Sequence, residues 1–177
     1  MLHPRARRPR RLMVAAVLAV AIDLFAADAA PASLAVLDIE LTGDLGGPEL
    51  KEQHAVRART ASAHLRSELA RTHLYVVVEN SPARELIERL ASVQYLHKCN
   101  GCESDIARRL DAQQVLVAWI HRVSNLILTL NYEIRDVQTG ETLTRSSFSF
   151  RGDNDAAWTR AVEYLVRDLE ERSRARE

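Results

Sequence analysis

Two cysteines, Cys99 and Cys102, stand three positions apart in the stretch HKCNGCESD, and they are the only cysteines in the chain. A C-x-x-C pair can do three kinds of chemistry. As a dithiol it exchanges electrons with another protein, and a helix starting just after it lowers a thiol pKa. As a pair of thiolates it holds zinc, with His97, Glu103 and His121 as nearby donor types. Oxidised, it closes a four-residue loop as a staple. The surroundings weigh unequally on these. A thioredoxin-like site follows a strand, and SVQYLHK does not have strand patterning. Haem attachment requires histidine directly after the second cysteine, where Glu103 stands. Zinc lacks a second C-x-x-C or H-x-H partner, so no metal site and no cofactor are assigned. A disulfide in an oxidising compartment fits best, with Gly101 relaxing the turn, and dithiol redox chemistry is the alternative.

A second group of residues could recognise a partner. In SNLILTLNYEIRD, Leu126, Leu128, Leu130, Tyr132 and Ile134 alternate with polar positions. That pattern reads as a half-buried antiparallel strand. Asparagine is disfavoured in strands, so Asn125 and Asn131 are informative. Asn125, Thr129, Asn131, Glu133 and Arg135 therefore form a candidate binding surface. The plain alternative is a solvated sheet face, or one covered by the last helix. In SFRGDNDAAW, Arg151, Asp153, Asn154 and Asp155 read as the capped start of a helix, since a calcium loop needs more carboxylates at regular spacing. No phosphate-binding glycine loop, nucleophile elbow or demanding carboxylate pair occurs, and the six histidines are scattered. The chain reads as non-enzymatic.

The elements that must position these residues follow from periodicity. SLAVLDIEL (33–41), apolar on both faces, predicts a buried central strand. Ala58, Ala61, Leu65, Leu69 and Thr72 recur at helical spacing within 50–72. LYVVVEN (74–80) predicts a second short buried strand. Ser81 and Pro82 open a helix to about Leu90. A short helix spans 103–110, and QQVLVAWIHRV (113–123) is a third buried strand. The alternating strand follows, then a turn at Gly140 and a return strand TLTRSSFSF. Trp158, Ala161, Val162, Leu165, Val166 and Leu169 form the apolar stripe of a final helix. Helical crossovers between the first three strands predict parallel pairing, and the last three form an antiparallel meander. The fold class is α/β: one mixed sheet of about five strands packed with helices.

Arg5, Arg7, Arg8, Arg10 and Arg11 precede the apolar run LMVAAVLAVAIDLFAADAA, which ends in an A-x-A site. This reads as a signal peptide over 1–29, followed by a single domain over 30–177. The run is shorter than the roughly 20 residues a membrane span needs, so no stable span follows cleavage. Cleavage would remove five arginines and two aspartates from the 24 basic and 24 acidic residues, leaving 19 and 22, a net charge of −3. A weakly acidic domain is a poor nucleic-acid binder. Localisation is periplasmic or secreted.

AVLDIEL, CNGCE, VSNLILTLN, RDVQTGE and SFRGDNDAAW occur in that order and together resemble an uncharacterised family of secreted bacterial proteins, a domain of unknown function. The resemblance implies export and assigns no activity. The fold is similar to the amino-terminal domain of the Tol-Pal translocation protein, and to periplasmic domains of the curli secretion pore and of lipoprotein activators of cell-wall synthases. Those are binding modules, which implies an envelope or periplasmic protein as the partner here. Unlike the lipoproteins, this chain has no lipidation cysteine directly after its apolar run. A thiol-redox accessory and a small-ligand sensor are the alternative functions.

Overall fold

The computed structural model describes residues 30–176; the expected signal peptide at 1–29 lies outside the described residues. Six strands form one mixed sheet: β1 (Ser33–Val36), β2 (Glu40–Gly43), β3 (Val76–Val78), β4 (Gln114–Arg122), β5 (Ile127–Asp136) and β6 (Thr142–Arg151). Their spatial order is β3-β1-β4-β5-β6, with β2 continuing alongside β4 beyond β1. β1 runs parallel to β3 and β4, and β2 parallel to β4. β4, β5 and β6 form the antiparallel meander. The parallel-then-antiparallel expectation holds because long helical crossovers separate the first strands, while short turns join the last three.

The expected first strand is in fact two. Val36 pairs with Leu116 and Glu40 with Trp119, so three residues of one strand face two of the other, a β-bulge. The freed backbone groups are met by side chains. Ser62 Oγ accepts from the Ile39 amide at 2.8 Å, and Asn80 Nδ2 donates to the Val36 carbonyl at 2.8 Å. β3 is shorter and less buried than its sequence suggested, because it is an edge strand with Val76 exposed.

Helices α1 (Lys51–Thr72) and α4 (Asp155–Arg174) pack together on one face of the sheet. Leu65 and Leu69 of α1, with Trp158, Val162 and Leu165 of α4, meet Leu116, Ile120, Leu128, Leu130 and Ile134 from the strands. Each such aliphatic side chain contributes about 1.5–3 kcal/mol on burial. The Tyr132 hydroxyl donates to Asp168 Oδ2 at 2.5 Å, tying β5 to α4. Burial, and then the Asp168 carboxylate it bonds, push the Tyr132 pKa far above the usual phenol range.

The other face carries a smaller core. Helices α2 (Arg84–Ala91) and α3 (Cys102–Arg109) cover Ala35, Leu37, Val115 and Val117, with Leu96 and Ile106 between them. This second core stops at β4 and the lower end of β5. The upper half of the β5–β6 pair on that side has no helix over it among the described residues.

Candidate functional site

Cys99 and Cys102 are joined as a disulfide at the start of α3, with Cα atoms 5.7 Å apart. Both residues are buried, at 8% and 7% exposure, among α2, α3 and the turn over 96–98. Gln94 Nε2 donates to Cys99 Sγ at 2.9 Å and covers the bond further. Thiol exchange proceeds by attack on a sulfur, so access controls its rate, and these sulfurs are screened. Gly101 caps the helix with φ 100°, a conformation that glycine adopts without strain. Glu103, the third potential donor, keeps a carboxylate oxygen within 4.8 Å of both sulfurs, while its Oε1 accepts from Arg135 Nη1 at 2.7 Å.

The turn leading into the disulfide is clamped by a residue to which the sequence reading gave no role. Glu40 accepts the backbone amides of Leu96 at 2.6 Å and His97 at 3.0 Å, and its Oε2 lies 2.6 Å from His97 Nδ1. The His97 ring stacks on Trp119 at 4.5 Å. His97 is therefore occupied within the fold and stands apart from His121, which lies 3.2 Å from the Thr42 hydroxyl. The only signal in the sequence was a carboxylate inside an apolar strand pattern.

The five polar positions of the alternating segment fall into three environments. Asn125 precedes β5; it sits in the β4–β5 turn and its carbonyl accepts from the Asp153 amide. Thr129 and Asn131 lie on the uncovered face, beside Ser149 and Ser147 of β6. The Ser147 hydroxyl donates to Asn131 Oδ1 at 2.8 Å, and the Thr129 and Ser149 hydroxyls are 3.3 Å apart. Glu133 and Arg135, further down, belong to an ion-pair ladder. Arg135 bridges Glu103 and Glu133, each at 2.7 Å, and Arg145 reaches Glu133 at 2.9 Å. Burial alone would depress the Arg135 pKa, but its bonds to Glu133 and then the charge of both carboxylates raise it above the ordinary value. The final helix covers the opposite face, so Thr129 and Asn131 remain open.

Asp153 is not a helix cap. Asn154 takes that role, accepting the Ala157 amide at 3.0 Å. The Asp153 carboxylate, 7% exposed, instead receives Arg122 Nε and Arg57 Nη1, each at 2.7 Å, and Trp158 Nε1 at 3.2 Å. His54 Nε2 lies 2.9 Å away. Burial by itself would raise the Asp153 pKa. Hydrogen bonds from Arg122 and His54, with the charges of His54 and Arg57, outweigh it and hold the carboxyl below its ordinary value. His54 is thus a buried partner from the first turns of α1, not a surface residue. Three acidic or amide residues in a row, where one cap suffices, was the available hint. Beside this cluster an apolar groove of about 520 Å³ opens between α1 and the loop after β2, lined by Leu41, Leu45, Pro48, Ala55 and Ala58.

A family described as "Protein of unknown function (DUF2380)" matches residues 32–169. No curated protein matches the chain. Among solved structures, the NMR structure of E. coli LpoB is 23% identical with a TM-score of 0.51, covering 70% of this chain and 56% of that one. Lipoprotein GNA1162 from Neisseria meningitidis is 16% identical with a TM-score of 0.47, covering 80% of this chain and 99% of that one. TolB from Acinetobacter baumannii is 12% identical with a TM-score of 0.45, covering 77% of this chain and 26% of that one. The LpoB likeness is one of fold alone. No helix among the described residues is long and apolar enough to cross a membrane.

Proposed function

The chain belongs to this family of unknown function, and on that premise we propose that it is an exported, non-enzymatic module that binds another envelope protein through the open half of its sheet. The observation that carries the reading is unequal coverage. One face is closed by α1 and α4, while on the other the β5–β6 half displays Thr129, Asn131, Ser147 and Ser149 with no element over them among the described residues. A flat row of short hydroxyl and amide side chains offers hydrogen bonds at low entropic cost, since these groups lose little rotamer freedom on contact. The polar clusters elsewhere support binding over catalysis, because the Asp153 and Glu133 carboxylates are saturated by arginines. Export is supported by the basic start and short apolar run, and by a buried disulfide, a bond common in oxidising compartments and rare in the cytosol.

A photo-crosslinking residue placed at Thr129 in the intact periplasm should trap one discrete envelope protein, while the same residue at the exposed Arg89 on α2 should not. Equal labelling from both positions would remove the open half-sheet as the binding surface. The mature mass should begin at or near Ala30. A mature-length protein retaining Arg5 to Arg11 in the cytoplasm would end the export reading. A second reading, small-ligand sensing, is supported by the apolar groove beside His54. It predicts that Ala58→Trp, which fills that groove, abolishes the response while leaving the Thr129 crosslink intact.

A further inference from the structure

β6 ends the sheet, and its outer backbone edge pairs with no other strand among the described residues. At ten residues it is a long edge, and such edges accept an added strand unless they are blunted. Beside its upper half a groove of about 550 Å³ runs between β6 and α4. Phe148, Phe150 and Tyr164 line it; the Phe148 and Tyr164 rings are 4.4 Å apart, and Tyr164 is 48% exposed. Arg151 stands on the strand side. Arg160 and Arg167 stand on α4, at four before and three after Tyr164, so all three project from one helical face. None of these three arginines has an ion pair or side-chain hydrogen bond to a carboxylate among the described residues, although nine others in the chain do. In a chain of zero net charge, this is a local concentration of unpaired positive charge around an aromatic floor.

We propose that this groove receives an extended acidic peptide segment, which adds to the free edge of β6 as a further strand. The proposal rests on the reading of the chain as a binding module and names the chemistry of a partner. Strand addition draws its affinity from backbone hydrogen bonds and its specificity from alternate side chains. Every second side chain of the added strand would face α4. Arg160 and Arg167 lie about 10 Å apart along the helix, at about 1.5 Å per residue. An extended strand covers that span, with the rim included, in about five residues at about 3.3 Å each. The matching pattern is acidic, any residue, apolar, any residue, acidic: the outer two meet the arginines and the middle one enters the aromatic floor. Charges on an edge strand also repel unwanted edge-to-edge pairing. That role would explain Arg151, which is on the strand, but not Arg160 and Arg167 on the helix.

The probe is a fluorescent peptide Thr-Glu-Thr-Phe-Thr-Glu-Thr, titrated into the purified protein and followed by anisotropy. Binding should be salt-sensitive, and it should vanish for the same peptide with lysine in place of glutamate or with every amide N-methylated. The double variant Arg160→Glu, Arg167→Glu should weaken binding at least about tenfold, with an unchanged melting temperature. Equal binding by that variant overturns the arginine rim, and equal binding of the N-methylated peptide overturns strand addition. Tighter binding of a thymidine oligonucleotide of similar length would assign the groove to single-stranded nucleic acid instead. If the wild-type protein binds no peptide while the double variant self-associates in light scattering, the arginines only guard the edge and the proposal fails. The Thr129 crosslink is independent of all these outcomes. A trapped partner without peptide binding defeats this inference alone, whereas peptide binding without any trapped partner defeats the sheet-face reading alone.

Discussion

Arg122 and Arg151 sit at the upper ends of neighbouring parts of the same meander, yet they live in opposite electrostatic worlds. Arg122, with Arg57, is buried against the shared carboxylate of Asp153, its side chain 6% exposed, and each has one further, exposed carboxylate: Asp44 at 3.5 Å from Arg122 and Asp155 at 2.8 Å from Arg57. Arg151, with Arg160 and Arg167, is exposed and meets no carboxylate among the described residues. Only Gly152 separates Arg151 from Asp153, and its φ of 92° swings the chain from the sheet edge into the charge cluster. The contrast teaches that charge alone does not make a binding group. The buried set has already exchanged water for a carboxylate, so removing that carboxylate leaves two buried cations with only the exposed Asp44 and Asp155 in reach. The exposed set keeps its water and can surrender it to an incoming partner.

The sharpest way to break this contrast is Asp153→Ala. It leaves Arg57 and Arg122 buried without their shared acceptor and should cost about 3–5 kcal/mol in denaturant unfolding. A cost near zero would mean the cluster is solvated after all. The same carboxylate predicts a pH signature. Its folded pKa is held below the ordinary 3.8, so its contribution is complete above that value and is lost as pH falls through the lower folded one. Stability of the wild type should therefore decline on acidification in that window, and Asp153→Asn should decline less steeply. Some slope will remain, since the Asp136 and Asp168 carboxyls are also held low.

A comparable loss, about 2–5 kcal/mol, is expected for Leu165→Ala, which opens a cavity under α4, the helix that carries Arg160 and Arg167. Leu128→Ala should move in the same direction. Reducing Cys99–Cys102 should matter less, about 2 kcal/mol or below, because a four-residue loop yields little chain entropy and the pair lies in the smaller core, outside the α1–α4 one. Thermal melts with and without reductant check this, and collapse of the fold on reduction would contradict it. Smallest of all, Arg160→Glu with Arg167→Glu should alter stability by no more than about 0.5 kcal/mol. A large effect there would show the exposed set to be as structural as the buried one.

The order of strands and helices was legible because period-two and period-3.6 patterns differ strongly in β5 and α4. What escaped was whatever depends on contacts between distant segments. Asp153 looked like a cap because capping is local, while its real partners, His54, Arg57 and Arg122, lie 99, 96 and 31 residues away. Glu133 and Arg135 looked available because alternation marks a face without saying that α3 would place Glu103 against it. Thr129 and Asn131, read as part of a candidate surface, lie half-buried where no helix covers the sheet among the described residues. The disulfide pairing was legible from there being two cysteines; the burial of its sulfurs was not.

The bulge between β1 and β2 resets the phase of the first strand. Before it, even-numbered Leu34 and Val36 point toward α1 and α4; after it, odd-numbered Ile39 and Leu41 do. Ala35 and Leu37, of the other parity, face the second core, and the reset is what turns Glu40 toward Leu96 and His97 instead of the α1–α4 core. Carried unbroken through the segment, the alternation of Leu34 and Val36 would put Asp38 and Glu40 into the α1–α4 core and turn Ile39 out of it, and would release the turn that carries the disulfide. One extra residue in count is what keeps two carboxylates out of that core.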